Sequence, residues 1–164
     1  NIAGWGGQQL AGILHPGAFS MLGVGVSFAV AAKLNYPAAN AVVISGDGAF
    51  LSGGLGIEAA FQEKAPIVVV IDNNGGLTTI SQQQERLFGH DRHVATDFRD
   101  IPFHTMCEGL GGYGELVEDP DEIVPAVRRA LSSGLTACVN VRTRGVISPI
   151  VAAVTSRRDK ASIE

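Results

Sequence analysis

Two short apolar runs, each followed at once by glycines and a polar side chain, constrain the fold of this chain more than any other feature. Residues 41–45 (AVVIS) precede Gly46-Asp47-Gly48, and residues 66–71 (PIVVVI) precede the segment Asp72-Asn73-Asn74-Gly75-Gly76. Apolar runs rich in β-branched residues are typical of strands that a parallel sheet buries on both faces. Residues 53–64 lie between them and predict a helix, so the whole stretch is predicted to form a βαβ unit.

A right-handed βαβ unit brings the two polar turns together. The turns lie at the carboxyl ends of neighbouring parallel strands, which is the edge where α/β folds bind ligands. We therefore expect Asp47 and Asn74 to lie close to each other. Carboxylate and amide oxygens suit Mg²⁺ or Ca²⁺, and the glycines would let a diphosphate approach the backbone. The alternative is two ordinary strand-end turns, because Asp and Asn are favoured turn residues.

The pattern Gly46-Asp47-Gly48 followed, after residues 49–72, by Asn73-Asn74 resembles the diphosphate-binding signature of thiamine diphosphate enzymes. The resemblance implies that the Asp47 carboxylate, the Asn74 side chain and the Gly76 carbonyl hold Mg²⁺. It further implies that the metal binds the two phosphates of thiamine diphosphate. Residues 49–54 would lie along the diphosphate, with backbone amides of the following helix facing the phosphates.

A second segment of the resemblance lies before the first strand. Residues 21–34 predict a helix that is too apolar for a surface and too short for a membrane. Leu22 corresponds to the large apolar side chain that bends the cofactor into a V, and the backbone around residues 18–22 would receive the aminopyrimidine. Core packing is the alternative for Leu22. The expected cofactor-binding residues are Ala18, Phe19, Ser20, Leu22, Gly46, Asp47, Gly48, Ala49, Asn74, Gly76 and Leu77.

Glu85 is the candidate catalytic residue. It lies in a predicted helix over residues 78–88, which begins directly after the second turn and should sit above the thiazolium, where substrate binds. An apolar site would raise the pKa of its carboxyl toward a range useful for acid–base work. The alternative is an exposed carboxylate paired with Arg86 or Arg92. Residues 89–100 predict a polar mobile loop that could close on substrate. His90 and His93 could assist there, with solvated loop histidines as the commoner case.

The remaining elements complete a predicted α/β fold. We expect a helix over residues 101–110, a strand over 113–117, a helix capped near Asp119, and a last strand over 136–141. This order predicts a doubly wound, mostly parallel sheet with helices on both faces. Residues 1–144 are interpreted as the thiamine diphosphate domain and residues 145–164 as a C-terminal tail. The tail is a possible lid over the site, with a flexible terminus as the alternative.

Composition narrows the functional classes. With 46% hydrophobic and 17% charged residues the chain should be globular, and its net charge of −4 argues against a nucleic-acid surface. Cys107 and Cys138 lie in apolar surroundings, which favours buried free thiols in a reducing, cytoplasmic setting over a disulfide. No membrane segment or signal peptide is visible. The chain begins at Asn1 without Met, so we expect a piece of a longer polypeptide.

Within the family, residues 46–76 resemble the branch of 2-hydroxyacyl-CoA lyase and oxalyl-CoA decarboxylase, although that branch commonly has Ser where Gly48 stands. The expected reaction is reversible cleavage of a 2-hydroxyacyl-CoA into formyl-CoA and an aldehyde or ketone, with Glu85 moving a proton at the substrate hydroxyl. Acetolactate synthase and oxalyl-CoA decarboxylase activities are alternatives. A noncatalytic phosphate-binding α/β domain is the alternative of another class.

The resemblance also implies a partner. Enzymes of this family need a pyrimidine-binding domain, and nothing in the sequence resembles one, so this chain alone should be inactive. That domain would come from the same polypeptide or a neighbouring subunit, and a homodimer or homotetramer is expected. The other expected partner is a small-molecule or acyl-CoA substrate.

Overall fold

The structure, a computed structural model, describes residues 12–14, 21–90 and 92–146. In this part of the chain six helices surround four strands. The helices are α1 Val24–Asn35, α2 Asp47–Gly53, α3 Ile57–Gln62, α4 Thr78–Phe88, α5 Phe103–Gly109 and α6 Ile123–Ser132. The strands are β1 Val42–Gly46, β2 Val68–Asn73, β3 Tyr113–Val117 and β4 Ala137–Arg142.

The four strands form one parallel sheet in the order β1-β2-β4-β3. The register places Gly46 beside Asp72 and Asn73 beside Arg142, so β1, β2 and β4 end at the same edge. The connection from β3 back to β4 runs in the opposite direction across the sheet from the connection between β1 and β2. Right-handed crossovers of opposite direction put their helices on opposite faces. The predicted doubly wound parallel α/β fold is confirmed.

Each face of the sheet has its own apolar core. On one face, Val43, Val69 and Ile71 pack with α1, α3 and α5 in a cluster that also holds Phe50 and Phe103. On the other face the core is formed by strand residues that pack against Ala126 and Ala130 of α6. These strand residues are Val68, Val117, Ala137, Val139 and Val141. Alternate strand residues therefore point to opposite faces, as the pleat requires.

The boundary of the helix after β1 differs from the prediction. The sequence suggested a turn at Gly46-Asp47-Gly48 and a helix beginning near Gly53. Instead α2 begins at Asp47 itself, a short 3₁₀ turn follows at Gly54–Gly56, and α3 begins at Ile57. Gly46 is extended (φ −69°, ψ 158°), so the chain passes from strand to helix without an intervening loop. Local glycine content favoured a loop, and the hydrogen bonds of Asp47 described below favour the helix.

A contact between two backbones brings α1 onto α2. Gly23 has a φ of 89°, a conformation that favours glycine, and directly precedes α1. A Cβ atom on Gly53 would lie 2.3 Å from the backbone oxygen of Gly23, so a side chain at Gly53 does not fit. This approach fixes the segment that carries Leu22 against the helix that follows Asp47.

The prediction that the two cysteines are buried free thiols is confirmed. Cys107 and Cys138 are free and buried, as the apolar surroundings indicated. Burial raises the pKa of the Cys107 thiol to about 11 and raises the pKa of Cys138 further. Across residues 12–14, 21–90 and 92–146, none of the helices has both the length and the apolar content needed to cross a bilayer. The proposed tail from residue 147 onward lies outside the described residues.

Candidate cofactor and catalytic site

Asp47 lies at the junction of β1 and α2 with its carboxylate inside the protein. Its side chain is only 3% exposed, and its Oδ1 accepts a hydrogen bond from the backbone N–H of Gly48 at 2.6 Å. A buried carboxylate is costly unless it is well hydrogen-bonded or paired with a cation. Its environment therefore has to supply further donors.

The second turn supplies those donors. Oδ2 of Asp47 accepts hydrogen bonds from the backbone N–H of Gly75 at 2.9 Å and from that of Gly76 at 2.8 Å. A single carboxylate thus binds both turns, and the leucine side chain of Leu77 lies over Gly48, where an added Cβ would be 2.2 Å from Leu77 Cδ2. The structure brings together the two turns that the sequence predicted would meet.

Residues 96–98, part of the loop that the sequence predicted to be mobile, hold the second turn from its outer side. The backbone N–H of Leu77 donates to the carbonyl of Thr96 at 2.8 Å, and Asp97 forms an isolated antiparallel bridge with Gly76. A Cβ on Gly76 would lie 2.4 Å from the Thr96 oxygen, so only glycine fits there. Thr96 is 3% exposed, and its hydroxyl has no hydrogen-bond partner among the described residues. The shape of the turn therefore depends on residues 96–98.

Asn74 is oriented by the first residue of α4. Its Oδ1 accepts a hydrogen bond from the Thr78 hydroxyl at 2.9 Å. A threonine at the start of a helix often caps it, but the N-cap position here is Leu77 and no side chain caps it. The Thr78 hydroxyl holds the Asn74 amide instead, which leaves that amide oxygen one further lone pair for a ligand.

A buried polar chain supports the same turn from beneath. Nδ2 of Asn73 donates to Oδ1 of Asn140 at 3.1 Å, and Nδ2 of Asn140 lies 3.3 Å from Nδ1 of His104. Asn140 is 1% exposed and lies on the neighbouring strand β4. Buried networks of this kind fix geometry when every member is satisfied. Asn73 is therefore a structural member of the Asn73-Asn74 pair.

The oxygen donors at this edge fit a magnesium ion bound to phosphates. They are one carboxylate (Asp47), one side-chain amide (Asn74) and the backbone carbonyl proposed at Gly76. Among the described residues no group of three or more His, Cys, Asp or Glu side chains is arranged to hold a metal. A site with one carboxylate and neutral oxygens leaves charge and coordination positions for a ligand's phosphates, as Mg²⁺ sites commonly do. The metal roles stay predictions.

The residues expected around the organic part of the cofactor are described only in part. Ala18, Phe19 and Ser20 lie outside the described residues. Leu22 is 56% exposed, in keeping with a side chain that faces a ligand rather than the core, and its wedge role stays a prediction. Ala49 is partly buried within α2.

Glu85 lies in α4, whose bounds agree with the prediction, and its side chain is about a third exposed (35%). Its Oε1 lies 3.0 Å from Nε2 of His93, and Nδ1 of His93 lies 2.8 Å from Oδ2 of Asp97. The suggested partners were Arg86 or Arg92, whereas the structure places His93 against the carboxylate. The sequence interpretation of His93 as a solvated loop residue was wrong, since its side chain is 26% exposed and lies between two carboxylates.

These contacts change the acid–base properties of the imidazole. The pKa of His93 is raised, chiefly by the hydrogen bond to Asp97, while partial desolvation opposes this and Glu85 adds to it. The pattern His93-x-x-x-Asp97 gave a faint signal in the sequence. Glu85 is distant from both residues in the sequence, so the arrangement of the three side chains can be recognised only in the folded structure.

Known proteins share this domain. Residues 4–141 match the family described as thiamine pyrophosphate enzyme, C-terminal TPP binding domain. The acetolactate synthase large subunit of Mycobacterium tuberculosis is 39% identical over 131 residues, covering 79% of this chain and 24% of that protein. The 2-hydroxyacyl-CoA lyase 2 of Bos taurus is 37% identical over 119 residues, covering 71% of this chain and 18% of that protein. The chain therefore spans about a quarter or less of the length of these relatives.

Proposed function

This chain belongs to the thiamine pyrophosphate enzymes, in the region of their C-terminal cofactor-binding domain, and from that premise we propose that it carries the Mg²⁺-diphosphate half of an enzyme that cleaves and forms carbon–carbon bonds. The observation that supports this most directly is the Asp47 carboxylate, which binds the Gly75 and Gly76 amides and so unites both turns. An ordinary pair of strand-end turns has no need of a buried charge shared between them.

Each residue at this edge has a proposed role toward the cofactor. Asp47, the Asn74 amide oxygen and the Gly76 carbonyl would hold Mg²⁺, and the backbone from Gly46 to Ala49 would lie along the diphosphate. When bound, thiamine diphosphate supplies a carbon nucleophile for a carbonyl group and accepts the electron pair of the bond that breaks. The chain's own contribution would be to hold the phosphates at this edge of the sheet and to supply Glu85 of α4 beside the bound cofactor.

The proposed reaction is that of a 2-hydroxyacyl-CoA lyase, which joins or separates formyl-CoA and an aldehyde or ketone. The similarity to the bovine lyase supports this choice. Acetolactate synthase activity is the second candidate, supported by the similarity to the mycobacterial synthase. Oxalyl-CoA decarboxylation is a third outcome of the same chemistry. Glu85 is proposed to exchange a proton with the substrate oxygen in each case.

A partner domain is part of the proposal. The relatives are four or more times longer than the matched region, which leaves room for a pyrimidine-binding domain. That domain would come from the same polypeptide or a neighbouring subunit of a homodimer or homotetramer. The activity is therefore assigned to the assembled enzyme, and the test is made on the full-length protein.

The cofactor assignment is tested by isothermal titration calorimetry of the full-length protein with Mg²⁺ and either thiamine diphosphate or ADP. Binding of thiamine diphosphate that requires Mg²⁺ is the expected result. Asp47→Asn should weaken it at least tenfold, a change of about 1.4 kcal/mol, whereas Glu58→Gln, at an exposed site on α3, should not. If the protein bound ADP but did not bind thiamine diphosphate, the proposed enzyme function would be rejected and a noncatalytic phosphate-binding domain would be favoured.

The reaction is tested by mass spectrometry of products. Formyl-CoA with a ketone should yield a 2-hydroxyacyl-CoA, and pyruvate alone should yield little acetolactate. The reverse result would assign the protein to the acetolactate synthases. Glu85→Gln should lower turnover at least about tenfold, a conservative threshold because acid–base groups typically contribute about a hundredfold or more. Unchanged turnover would remove Glu85 from the mechanism.

A further inference from the structure

Three side chains form a continuous chain from the middle of α4 to the segment beside the second turn. This turn, residues 72–76, carries the proposed metal ligands Asn74 and Gly76 and is called the metal turn below. Glu85 Oε1 contacts His93 Nε2 at 3.0 Å, and His93 Nδ1 contacts Asp97 Oδ2 at 2.8 Å. The other oxygen of Asp97 lies 3.4 Å from the hydroxyl of Ser81, one turn before Glu85 on α4. The imidazole is therefore held from both sides, and the carboxylate that orients it is itself held by α4.

The hydrogen-bond donors and acceptors of this chain restrict where its protons can be. Both contacts are hydrogen bonds at the same time if His93 is doubly protonated between two carboxylates. They are also both satisfied if neutral His93 donates from Nδ1 to Asp97 while a protonated Glu85 donates to Nε2. The two arrangements hold the same number of protons. A proton can therefore pass between Nε2 and Glu85 Oε1 without a change in the net charge of the group.

The loop does not depend on His93 for its attachment to α4. The amide of Gln84 accepts a hydrogen bond from the Val94 N–H at 2.8 Å and donates one to the Val94 carbonyl at 3.2 Å. The backbone at Asp97 is separately bridged to Gly76. These contacts fix the loop backbone directly after His93, so the loop is attached without the imidazole, and a purely structural role does not explain why the ring pairs with two carboxylates.

We propose that His93 is the positioning residue for Glu85: it orients the carboxyl toward the substrate and restores the proton that Glu85 gives to the substrate oxygen, while Asp97 orients the imidazole. This rests on the proposed acid–base role of Glu85. Starting from doubly protonated His93 and ionised Glu85, the Nε2 proton moves to Glu85, Glu85 passes a proton to the substrate oxygen, and the neutral ring, which keeps its Nδ1 proton on Asp97, takes a new proton at Nε2 from solvent. In the opposite direction each transfer is reversed, and no electrons change hands. The Asp97 side chain is 65% exposed, which places that end of the chain in contact with water.

The electrostatic setting agrees with this assignment. Within the part of the chain that the structure describes, the titratable groups that contact the imidazole are Glu85 on α4 and Asp97 on its own loop, and His90 lies 3.9 Å from Glu85 Oε1. The two carboxylates raise the pKa of His93 and so keep the second proton on the ring to higher pH than in a free histidine. A proton donor is thus kept behind Glu85 to a higher pH than a free histidine would allow.

The test compares the full-length wild-type enzyme, loaded with Mg²⁺ and thiamine diphosphate, with His93→Gln and with the matched control Gln84→Ala. Gln84→Ala loosens the same loop but leaves the Glu85–His93–Asp97 contacts in place. We expect His93→Gln to lower kcat about tenfold or more, less than the roughly hundredfold minimum for loss of an acid–base group itself because Glu85 remains, and to remove one ionisation from the pH profile of kcat. Its KM and cofactor affinity should change by less than about twofold. Gln84→Ala should keep the wild-type shape of the profile.

The double variant Glu85→Gln/His93→Gln separates a shared role from two independent ones. Residues that act as a unit are non-additive, so the double variant should be no slower than Glu85→Gln alone. Three results would each overturn the proposal. The first is a wild-type pH profile of kcat in His93→Gln, and the second is an equal loss of kcat in His93→Gln and Gln84→Ala. The third is a loss of kcat in the double variant equal to the product of the two single losses. A wild-type protein that fails to bind thiamine diphosphate in the calorimetry would instead defeat the proposed function itself.

Discussion

Removal of the Asp47 carboxylate should loosen both turns even when no cofactor is present. The carboxylate accepts hydrogen bonds from the N–H groups of Gly48, Gly75 and Gly76. Gly75 is exposed and can replace its acceptor with water, whereas Gly48 and Gly76 are buried. A buried N–H that loses its acceptor costs about 1–3 kcal/mol. In Asp47→Ala each of the two buried amides should therefore open about 5- to 140-fold more often, at 1.4 kcal/mol per factor of ten.

Hydrogen–deuterium exchange with mass spectrometry measures this opening directly. Peptides covering residues 46–50 and 73–78 should both exchange faster in Asp47→Ala than in the wild type, in the full-length protein without cofactor. Asp72→Asn is the matched control, since Asp72 lies at the same sheet edge but contacts the Thr143 hydroxyl. Unchanged protection of the 73–78 peptide in Asp47→Ala would show that the carboxylate does not join the turns.

The same measurement tests the metal role of Asp47. A ligand present at a hundred times its dissociation constant stabilises the form that binds it by about 2.7 kcal/mol. Mg²⁺ with thiamine diphosphate should therefore slow exchange of both turn peptides in the wild type by up to about a hundredfold, since 1.4 kcal/mol is a factor of ten. Asp47→Ala, whose affinity should be weakened at least about tenfold, should show at most about a tenth of this gain at the same concentrations. An equal gain in both proteins would move the metal site away from Asp47.

Three further outcomes follow from the structure. Thr78→Val should weaken Mg²⁺-dependent cofactor binding by about 2- to 13-fold, the value of one hydrogen bond of 0.5–1.5 kcal/mol to Asn74, and Thr78→Ser should restore it; equal affinities in calorimetry would contradict this. Gly53→Ala should lower the free energy of unfolding, measured by denaturation, by about 1–3 kcal/mol because the new Cβ overlaps the backbone oxygen of Gly23, which precedes α1. Gly109→Ala, which meets nothing within 4 Å, should not lower it comparably. Cys107, whose pKa is raised to about 11, should resist iodoacetamide at pH 8 in the native protein and react after denaturation; rapid native labelling would place the thiol outside the core.

The sequence predicted the elements whose signal is local. The strand Tyr113–Val117 and the helix Thr78–Phe88 have the predicted bounds, because alternating or polar-apolar patterns and flanking glycines mark them. The meeting of the two turns was also predictable, because parallel strands joined by a right-handed crossover end at one edge. Chain topology here converted two separate local signals into a single site.

The contacts that shape the site were less predictable because they join distant segments. The start of α2 at Asp47 depends on donors from Gly75 and Gly76, and glycine-rich sequence around Asp47 favours a loop when read alone. Threonine is a residue type that often caps helices, yet the Thr78 hydroxyl donates its hydrogen bond to the side chain of Asn74 instead. A residue with two possible hydrogen-bond partners takes the one that the tertiary structure offers, and sequence spacing does not rank them.

The antiparallel bridge between Gly76 and Asp97 explains why one loop contributes both to the shape of the metal turn and to the environment of Glu85. Its backbone at Thr96 leaves no space for a side chain at Gly76, and its side chain at Asp97 orients His93. A rotation of this loop would therefore move the proposed metal ligand and the proposed proton donor together. Acid–base catalysis requires the donor to be held within about 0.5 Å of its productive position at hydrogen-bond distance from the reacting oxygen, so fixing both to one segment keeps their separation constant. The polar sequence of the loop gives no indication of this coupling, because the bridge is made by backbone atoms that every residue type carries.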